Sequence, residues 1–270
     1  MRIYIPTFRR VDNQIAYNNL PDDIKENVIL VVQEQERELF KIDCEYLVVG
    51  NNIGISKTRE HIYRHADKNR FGMIDDDMLF YRRNAKYSGG ESNMEKSRRD
   101  MNSGDWKYWF NELNKMFDEK DVMHIGHRQI ILPPKGVKYY YNNGIFGAHW
   151  VDGSKLNNFI DEVDWCHVKI GQDIILILEC LLRGYKNVIT DEIITTGWDG
   201  TQKKGGCETF RTAEVVEVES MKLVKKYKGI FNLTNNFYEN KNLGRLRKFK
   251  VNYNLAYKSS QVNTLDEFMT

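Results

Sequence analysis

Asp75, Asp76 and Asp77 follow one another between two apolar runs, Phe71-Gly72-Met73-Ile74 before them and Met78-Leu79-Phe80-Tyr81 after. Three carboxylates placed where a buried strand emerges repel one another unless a cation neutralises them or water solvates them. Asp75 and Asp77, one residue apart, can turn to one side and take a hard divalent cation while Asp76 faces the other. A solvated acidic turn is the plainer alternative for the triplet alone. A further carboxylate, Asp173, precedes the periodic apolar run Ile174, Ile175, Leu178, Leu181 and Leu182. It therefore falls at a helix start, where exposed N–H groups stabilise a negative charge. The structural role open to it there is that of N-cap.

The elements that must position these groups alternate in type. Residues 2–7 read as a strand stopped by Pro6, and residues 11–20 as a polar helix. Val28-Ile29-Leu30-Val31-Val32 is the β-branched run of a strand buried on both faces of a parallel sheet. Residues 45–49 read as a third strand, 51–59 as a turn entering a helix that ends near Ala66, and 71–74 as a fourth strand. This order implies an α/β fold with a mostly parallel sheet flanked by helices. Ligands of such folds sit beyond the carboxyl ends of the strands, and the polar clusters at 7–10, 33–36, 51–59 and 75–77 all lie there. Residues 82–105, rich in charge, Ser, Gly and Asn, read as a long loop. In 105–119, Trp106, Trp109, Phe110, Leu113, Met116 and Phe117 share a helical face, which is a core stripe. Strands are expected at 122–132, 145–151 and 187–196, an aromatic turn at 139–144 and the clearest helix at 171–184. Residues 197–206 read as a loop, either a lid with Lys203 and Lys204 as counter-charges or a solvated connection. A domain boundary is placed at residue 212, with 213–270 a helical and basic extension that ends in a basic tail with interleaved aromatics from Asn242 onward.

The totals narrow the classes. At 270 residues with 41% hydrophobic content the chain builds a full core, which excludes global disorder. A formal charge of +2 neither requires nor excludes a polyanionic partner, so the distribution of charge decides. Cys44, Cys166, Cys180 and Cys207 form no CxxC pair and read as reduced, mostly buried thiols of a cytoplasmic protein. No apolar run approaches the length of a membrane span and no signal peptide is evident.

Four of these pieces occur in a telling order. They are Ile5-Pro6-Thr7-Phe8-Arg9 at the first strand end, Gly54-Ile55-Ser56-Lys57-Thr58-Arg59 at a helix start, Asp75-Asp76-Asp77 after the fourth strand, and Gln172-Asp173 before a leucine-rich helix and the Gly184-Tyr185 strand entry. The order resembles the GT-A glycosyltransferases, in particular their family-2-like branch, over roughly residues 2–200. The resemblance implies a Rossmann-like GT-A domain that moves a sugar from a nucleotide-diphospho-sugar. It implies Asp75 and Asp77, the Asp-x-Asp motif, as ligands of Mn²⁺ or Mg²⁺. It implies Asp76, Pro6, Thr7, Arg9, Gly54, Ser56 and Arg59 as donor-binding residues, and Asp173 as the base that takes the acceptor proton. Two departures stand out. Gln172 replaces the usual Glu, and all six histidines precede Asp173, so a C-terminal His metal ligand is absent; Asp199 is the substitute on offer.

The acceptor is the less legible half. Basic residues cluster at Arg82-Arg83-Lys86, Lys96-Arg98-Arg99, Lys203-Lys204 and Arg245-Arg247-Lys248-Lys250. On one face they would form a footprint for a nucleic acid backbone. The chain is similar to phage enzymes that glycosylate hydroxymethylated pyrimidines in DNA, which implies duplex DNA carrying 5-hydroxymethylcytosine as acceptor and the host cytoplasm as its location. A surface polysaccharide or lipid-linked glycan is the alternative acceptor. A nucleotidyltransferase and a non-catalytic nucleic-acid-binding module are the rival classes. The sequence names neither the sugar nor the oligomeric state, and leaves inversion or retention open.

Overall fold

The computed structural model describes residues 1–84, 98–132, 136–197, 211–240 and 243–268, with backbone alone for 262–268. The chain opens with β1 (Arg2–Pro6), the short helices α1 (Ile15–Asn18) and α2 (Asp22–Lys25), β2 (Val28–Gln33), a 3₁₀ turn at Glu34–Leu39, β3 (Glu45–Val49), α3 (Gly54–Ala66) and β4 (Arg70–Ile74). There follow β5 (Met78–Arg83), β6 (Arg98–Asp100), α4 (Ser103–Asp118), β7 (Val122–Gln129), β8 (Tyr139–Tyr141), β9 (Ala148–Asp152), α5 (Gly153–Leu156), α6 (Gln172–Leu182) and β10 (Lys186–Gly197). The C-terminal part is α7 (Ala213–Lys226), the hairpin β11 (Phe231–Asn240) and β12 (Gly244–Val251), and α8 (Tyr253–Phe268).

Ten strands form one sheet, in the order β3-β2-β1-β4-β9-β7-β10-β5-β6, with β8 also paired to β10. β9 runs against β4 and β7, and β5 and β8 run against β10. Among the described residues the other seven strands share one direction, so the sheet is mostly parallel. β2 is buried along its whole length, as its β-branched run requires. The order reverses at β1: β2 and β3 build outward on one side, β4 on the other. In open α/β sheets the crevice beyond such a reversal is where ligands bind, and here it lies between the ends of β1 and β4.

Helices cover both faces. Tyr4, Ile29 and Val31 pack with α3, α6 and the C-terminal part, through Leu223, Tyr227, Phe231 and Ala256. Ile3, Ile5, Val28 and Leu30 point the other way and pack against α1, α2 and α4. Alternation along each strand thus splits the core in two. The aromatic stripe of α4 is core: Trp106, Trp109, Leu113, Met116 and Phe117 are buried. No helix among the described residues is long and apolar enough to cross a membrane.

Several local expectations are corrected. Residues 82–84 and 98–105 are not loop: Arg82 and Arg83 belong to β5, Arg98 to Asp100 form β6, and Asn102 and Asp105 make the capping box that starts α4. Lys86 and Lys96 lie outside the described residues. The helix expected over 11–20 shrinks to the four residues of α1, because Gln14 is turned inward to bond Thr7 and Arg10 instead. Tyr139, Tyr140 and Tyr141 pair with β10 as a strand rather than a turn. The basic tail contains β12, a strand held by antiparallel pairing with β11. Among the described cysteines only Cys180 is buried; Cys44 is half-buried and Cys166 exposed, and Cys207 lies outside the described residues.

Three histidines are sealed in the sheet. The Trp150 indole N–H donates to His127 Nε2 at 2.8 Å, which leaves the ring proton on Nδ1, 3.1 Å from the Ile193 carbonyl. His124 and His149 meet edge to face at 5.0 Å with no hydrogen-bond partner on either ring. Burial pushes His124 down to about 3 and His127 down to about 4, and holds His149 well below its ordinary value. The unfolded chain, with histidines near 6.5, binds more protons than the fold over that interval. Stability therefore falls as pH drops from about 6.5 toward 4, by ~1.4 kcal/mol per pH unit for each such histidine. His124→Leu should flatten the fall by about one histidine's share, as read from urea unfolding at pH 4.5, 5.5 and 6.5; an unchanged slope would contradict neutral burial.

Candidate active site

The end of β1 is built to turn one arginine out and the next one in. Thr7 N–H still bonds the Val31 carbonyl at 3.0 Å, extending the β1–β2 ladder past Pro6. Arg9 then takes a left-handed backbone conformation, φ 58°. Both oxygens of buried Glu36 accept its N–H, at 2.9 and 3.1 Å, which supports a conformation that non-glycine residues avoid. Arg9 consequently projects outward, with its guanidinium 4.8 Å from the Phe8 ring centre. Arg10 turns inward. Its Nη1 donates to Asp76 Oδ1, and to Asp77 Oδ2 at 3.2 Å. Gln14 clamps the turn by donating to Thr7 Oγ1 and the Arg10 carbonyl, both at 2.8 Å.

The three aspartates occupy a tight turn between β4 and β5. Asp75 N–H bonds the Gly147 carbonyl at 2.7 Å, and the Asp75 carbonyl accepts from Met78 at 3.1 Å. A turn does not alternate side chains as a strand does. Asp76 and Asp77 therefore share Arg10, while Asp75 alone turns to Arg59, whose Nη2 lies 2.9 Å from Asp75 Oδ1. Asp76 does not stand out toward solvent; it is only 6% exposed. Burial pushes its carboxyl up to about 7, against the pull of Arg10 and a hydrogen bond with Thr7. Burial and the Asp75 charge raise Asp77.

Arg59 joins this triplet to Asp173. It is buried on the inner face of α3, and its Nε and Nη1 have no partner. Asp173 lies in the first turn of α6, after Gly171 at φ 87°. It is not the N-cap; that position is Gly171. Burial raises the Asp173 carboxyl, Arg59 draws it down, Asp75 raises it, and its own N–H and that of Ile174 draw it down further. Gly54, at φ 74°, opens α3 with free space where a Cβ would stand. Ser56 is turned away from the cleft: its hydroxyl donates to the Val168 carbonyl at 2.5 Å, tying α3 to the segment that leads into Asp173.

A cleft of about 640 Å³ runs along these groups. Pro6, Thr7, Arg9, Gly54, Arg59, the three aspartates and Asp173 all line it, as does Arg10. Its far wall comes from the C-terminal part: Leu223 of α7 and Phe231, Tyr238, Arg247 and Phe249 of the hairpin. Sequence reasoning missed Arg10, although the Arg9-Arg10 pair was in view; which of the two faces inward depends on the φ of Arg9. It also missed the hairpin wall, for which the aromatics interleaved with the basic residues of the tail were the available signal. Among the described residues no three His, Cys, Asp or Glu side chains gather into a metal-holding set. Asp199, Lys203 and Lys204 lie outside the described residues.

Three arginines of the expected basic clusters are held in ion pairs. Arg82 bonds Asp105 at 2.8 Å and Glu192 at 2.7 Å, Arg83 bonds Asp191 at 2.8 Å, and Arg99 bonds Asp105. These three neutralise carboxylates between β5, β6, α4 and β10.

Comparison with known proteins agrees with this architecture. Residues 1–193 match the family described as TET-Associated Glycosyltransferase. No curated protein sequence matches the chain. Glucosyl-3-phosphoglycerate synthase from Mycobacterium tuberculosis, solved with Mn²⁺, uridine diphosphate and phosphoglyceric acid, is similar in structure with a TM-score of 0.50 at 8% identity, covering 93% of this chain and 86% of that one. The inositol-1-phosphate CTP transferase from T. maritima gives 0.44 at 14% identity, covering 82% of this chain and 95% of that one. At such identities the first likeness speaks for the fold alone, which is the GT-A type of α/β sheet, and the second carries no argument.

Removing Arg10 strands Asp76. Arg10→Met should cost about 3 kcal/mol of unfolding free energy at pH 8. The cost should shrink at pH 6, where Asp76, its folded pKa lying above its unfolded one, takes up a proton. Adding Asp76→Asn should restore most of the loss. Thermal melts of the three variants at both pH values check this; a loss independent of pH would contradict the pairing.

Proposed function

The chain belongs to the TET-associated glycosyltransferase family, and we propose that it moves a sugar from a nucleotide-diphospho-sugar to the hydroxyl of 5-hydroxymethylcytosine, or a related modified base, in DNA. The observation that carries this reading is the meeting of the Asp75–Asp77 turn, two inward arginines and the base candidate Asp173 in one cleft at the sheet's reversal. The transfer reaction needs these parts. A diphosphate leaves, so its negative charge must be received, and an acceptor hydroxyl attacks, so its proton must be taken.

Arg59 has two N–H groups without partners, and Arg10 has one, Nε. Buried guanidinium donors with unmet hydrogen bonds favour a phosphate, which suits their planar fork. Thr7, Arg9 and Gly54 frame the same end of the cleft and are assigned to the donor, with Pro6 as the strand stop that sets the turn.

A divalent cation fits the donor set. Asp75 and Asp77 offer hard oxygens, and the repulsion that raises Asp77 is the kind a dication relieves. Two carboxylates suffice when diphosphate oxygens and water complete the shell, as is usual for Mg²⁺. Bound Mn²⁺ or Mg²⁺ would offset the charge that builds on the departing diphosphate.

Asp173 is assigned as the base. Its carboxyl, raised by burial, is a better proton acceptor than an exposed carboxylate, and Arg59 draws it back toward the ionised form. As the acceptor oxygen bonds the anomeric carbon, the bond to the diphosphate breaks, the hydroxyl proton passes to Asp173 and the nucleoside diphosphate leaves.

Asp75→Ala combined with Asp77→Ala should abolish metal-dependent binding of the donor, measured by titration calorimetry with and without Mn²⁺; undiminished binding would remove both as ligands. Asp173→Asn should bind donor as the wild type does and lose about a hundred- to ten-thousand-fold in transfer rate. Transfer at the wild-type rate would place the base elsewhere.

A further inference from the structure

We propose that the β11–β12 hairpin is the surface that grips the DNA acceptor, its exposed aromatic rings stacking on bases and its cationic side chains meeting the phosphate backbone. The inference rests on the reading of the cleft as a DNA glycosyltransferase site. It goes beyond that reading, because the hairpin lies outside residues 1–193 that the family shares.

The hairpin interleaves two residue types at the spacing of a strand. Register pairs Leu233 with Phe249, Phe237 with Arg247 and Glu239 with Arg245, so these side chains share a face. Phe237 is 40% exposed, Tyr238 41% and Phe249 44%. Scattered exposed rings need no explanation, but Phe237 and Phe249 share one face of the ribbon with Arg245 and Arg247, a mixed patch that marks an interaction site, while Tyr238, paired with Leu246, stands on the other face. Arg245 and Arg247 hold their guanidinium groups 4.3 and 5.6 Å from the Phe237 ring centre. Opposite Lys248 the register shifts, leaving Thr234, Asn235 and Asn236 against one residue, with Thr234 Oγ1 donating to the Lys248 carbonyl at 3.0 Å. A bulge of this kind bends a ribbon and re-aims its side chains.

The charge of the hairpin is available to a partner. Arg247 lies 3.3 Å from Glu217, but Arg245, Lys248 and Lys250 form no ion pair among the described residues. This distinguishes them from Arg82, Arg83 and Arg99, which carboxylates consume. Arg245, unpaired and held against the exposed Phe237 ring, is complementary to a polyanion whose bases have apolar faces, and Lys248 and Lys250 add charge on the ribbon's other face.

Position completes the argument. Tyr238, Arg247 and Phe249 line the cleft that holds Asp173. Tyr253, two residues past β12, is close enough to Asp173 for that charge to help burial raise its phenol. The hairpin thus stands at the end of the cleft where the acceptor hydroxyl must arrive. A base within a duplex must leave the stack to reach such a site, and rings beside the entrance can hold its neighbours.

The test measures binding of a duplex carrying one 5-hydroxymethylcytosine by fluorescence anisotropy over a range of salt concentrations. It compares wild type with Phe237→Ala and Arg245→Ala and titrates the donor in parallel. Neither residue lines the cleft and both are exposed. The wild type should bind. Phe237→Ala should weaken DNA binding about five- to a hundred-fold, Arg245→Ala should lower the salt slope by about one, and donor affinity should stay unchanged in both. Wild-type DNA affinity in both variants would overturn the hairpin assignment and leave the DNA reading standing. A wild type that ignores DNA would overturn the DNA reading itself. Parallel loss of donor affinity would also overturn the assignment, by making the hairpin part of the scaffold.

Discussion

Two arginines turned into a nest of carboxylates hold this site together. Arg10 bridges Asp76 and Asp77, and Arg59 holds Asp75 and feels the charge of Asp173. Charges removed from water cost several kcal/mol each, which pairing offsets only when the geometry is good. Four carboxylates facing two guanidinium groups are not fully offset: burial above all, with a lesser push from neighbouring carboxylates, leaves Asp76, Asp77 and Asp173 with raised pKa values. A surface that binds a phosphorylated donor through a cation carries this kind of imbalance, because donor and cation arrive together with charges of opposite sign.

The fold exists around that imbalance in a definite way. Reversal of strand order at β1 brings the ends of β1 and β4 side by side, which puts the Thr7–Arg10 turn against the aspartates. The strained Arg9 conformation, held by Glu36, decides which arginine enters. α3 supplies Arg59 from below, and the Ser56–Val168 bond fixes the segment that ends in Gly171 and Asp173. Each contact is local, yet together they set four elements, distant in sequence, around one cleft.

Much of this was legible in the residues. The all-buried run of β2, the alternation of strands and helices, and the order of four polar clusters announced an α/β sheet with its chemistry at the strand ends. The stripe of α4 was read correctly as core because its 3.6-residue period is unambiguous. What escaped depended on backbone conformation or on partners far along the chain. Nothing in Arg9-Arg10 reveals that the first residue adopts a positive φ. Arg82, Arg83 and Arg99 looked like free cations because Asp105, Asp191 and Glu192, their partners, lie on other elements. The β12 strand was hidden because its charges suggested a solvated tail and its apolar residues, Leu246, Phe249 and Val251, keep no period of two; pairing with β11 makes it a ribbon.

The central claim is that the cleft transfers a sugar to a hydroxylated base. The most direct test follows nucleoside diphosphate release from a panel of nucleotide sugars with Mn²⁺, with and without DNA containing 5-hydroxymethylcytosine, and weighs the nucleosides afterwards. The account predicts release that the DNA stimulates, together with a base heavier by one sugar residue. Release from every active donor at a rate indifferent to the DNA, with the base mass unchanged, would contradict it.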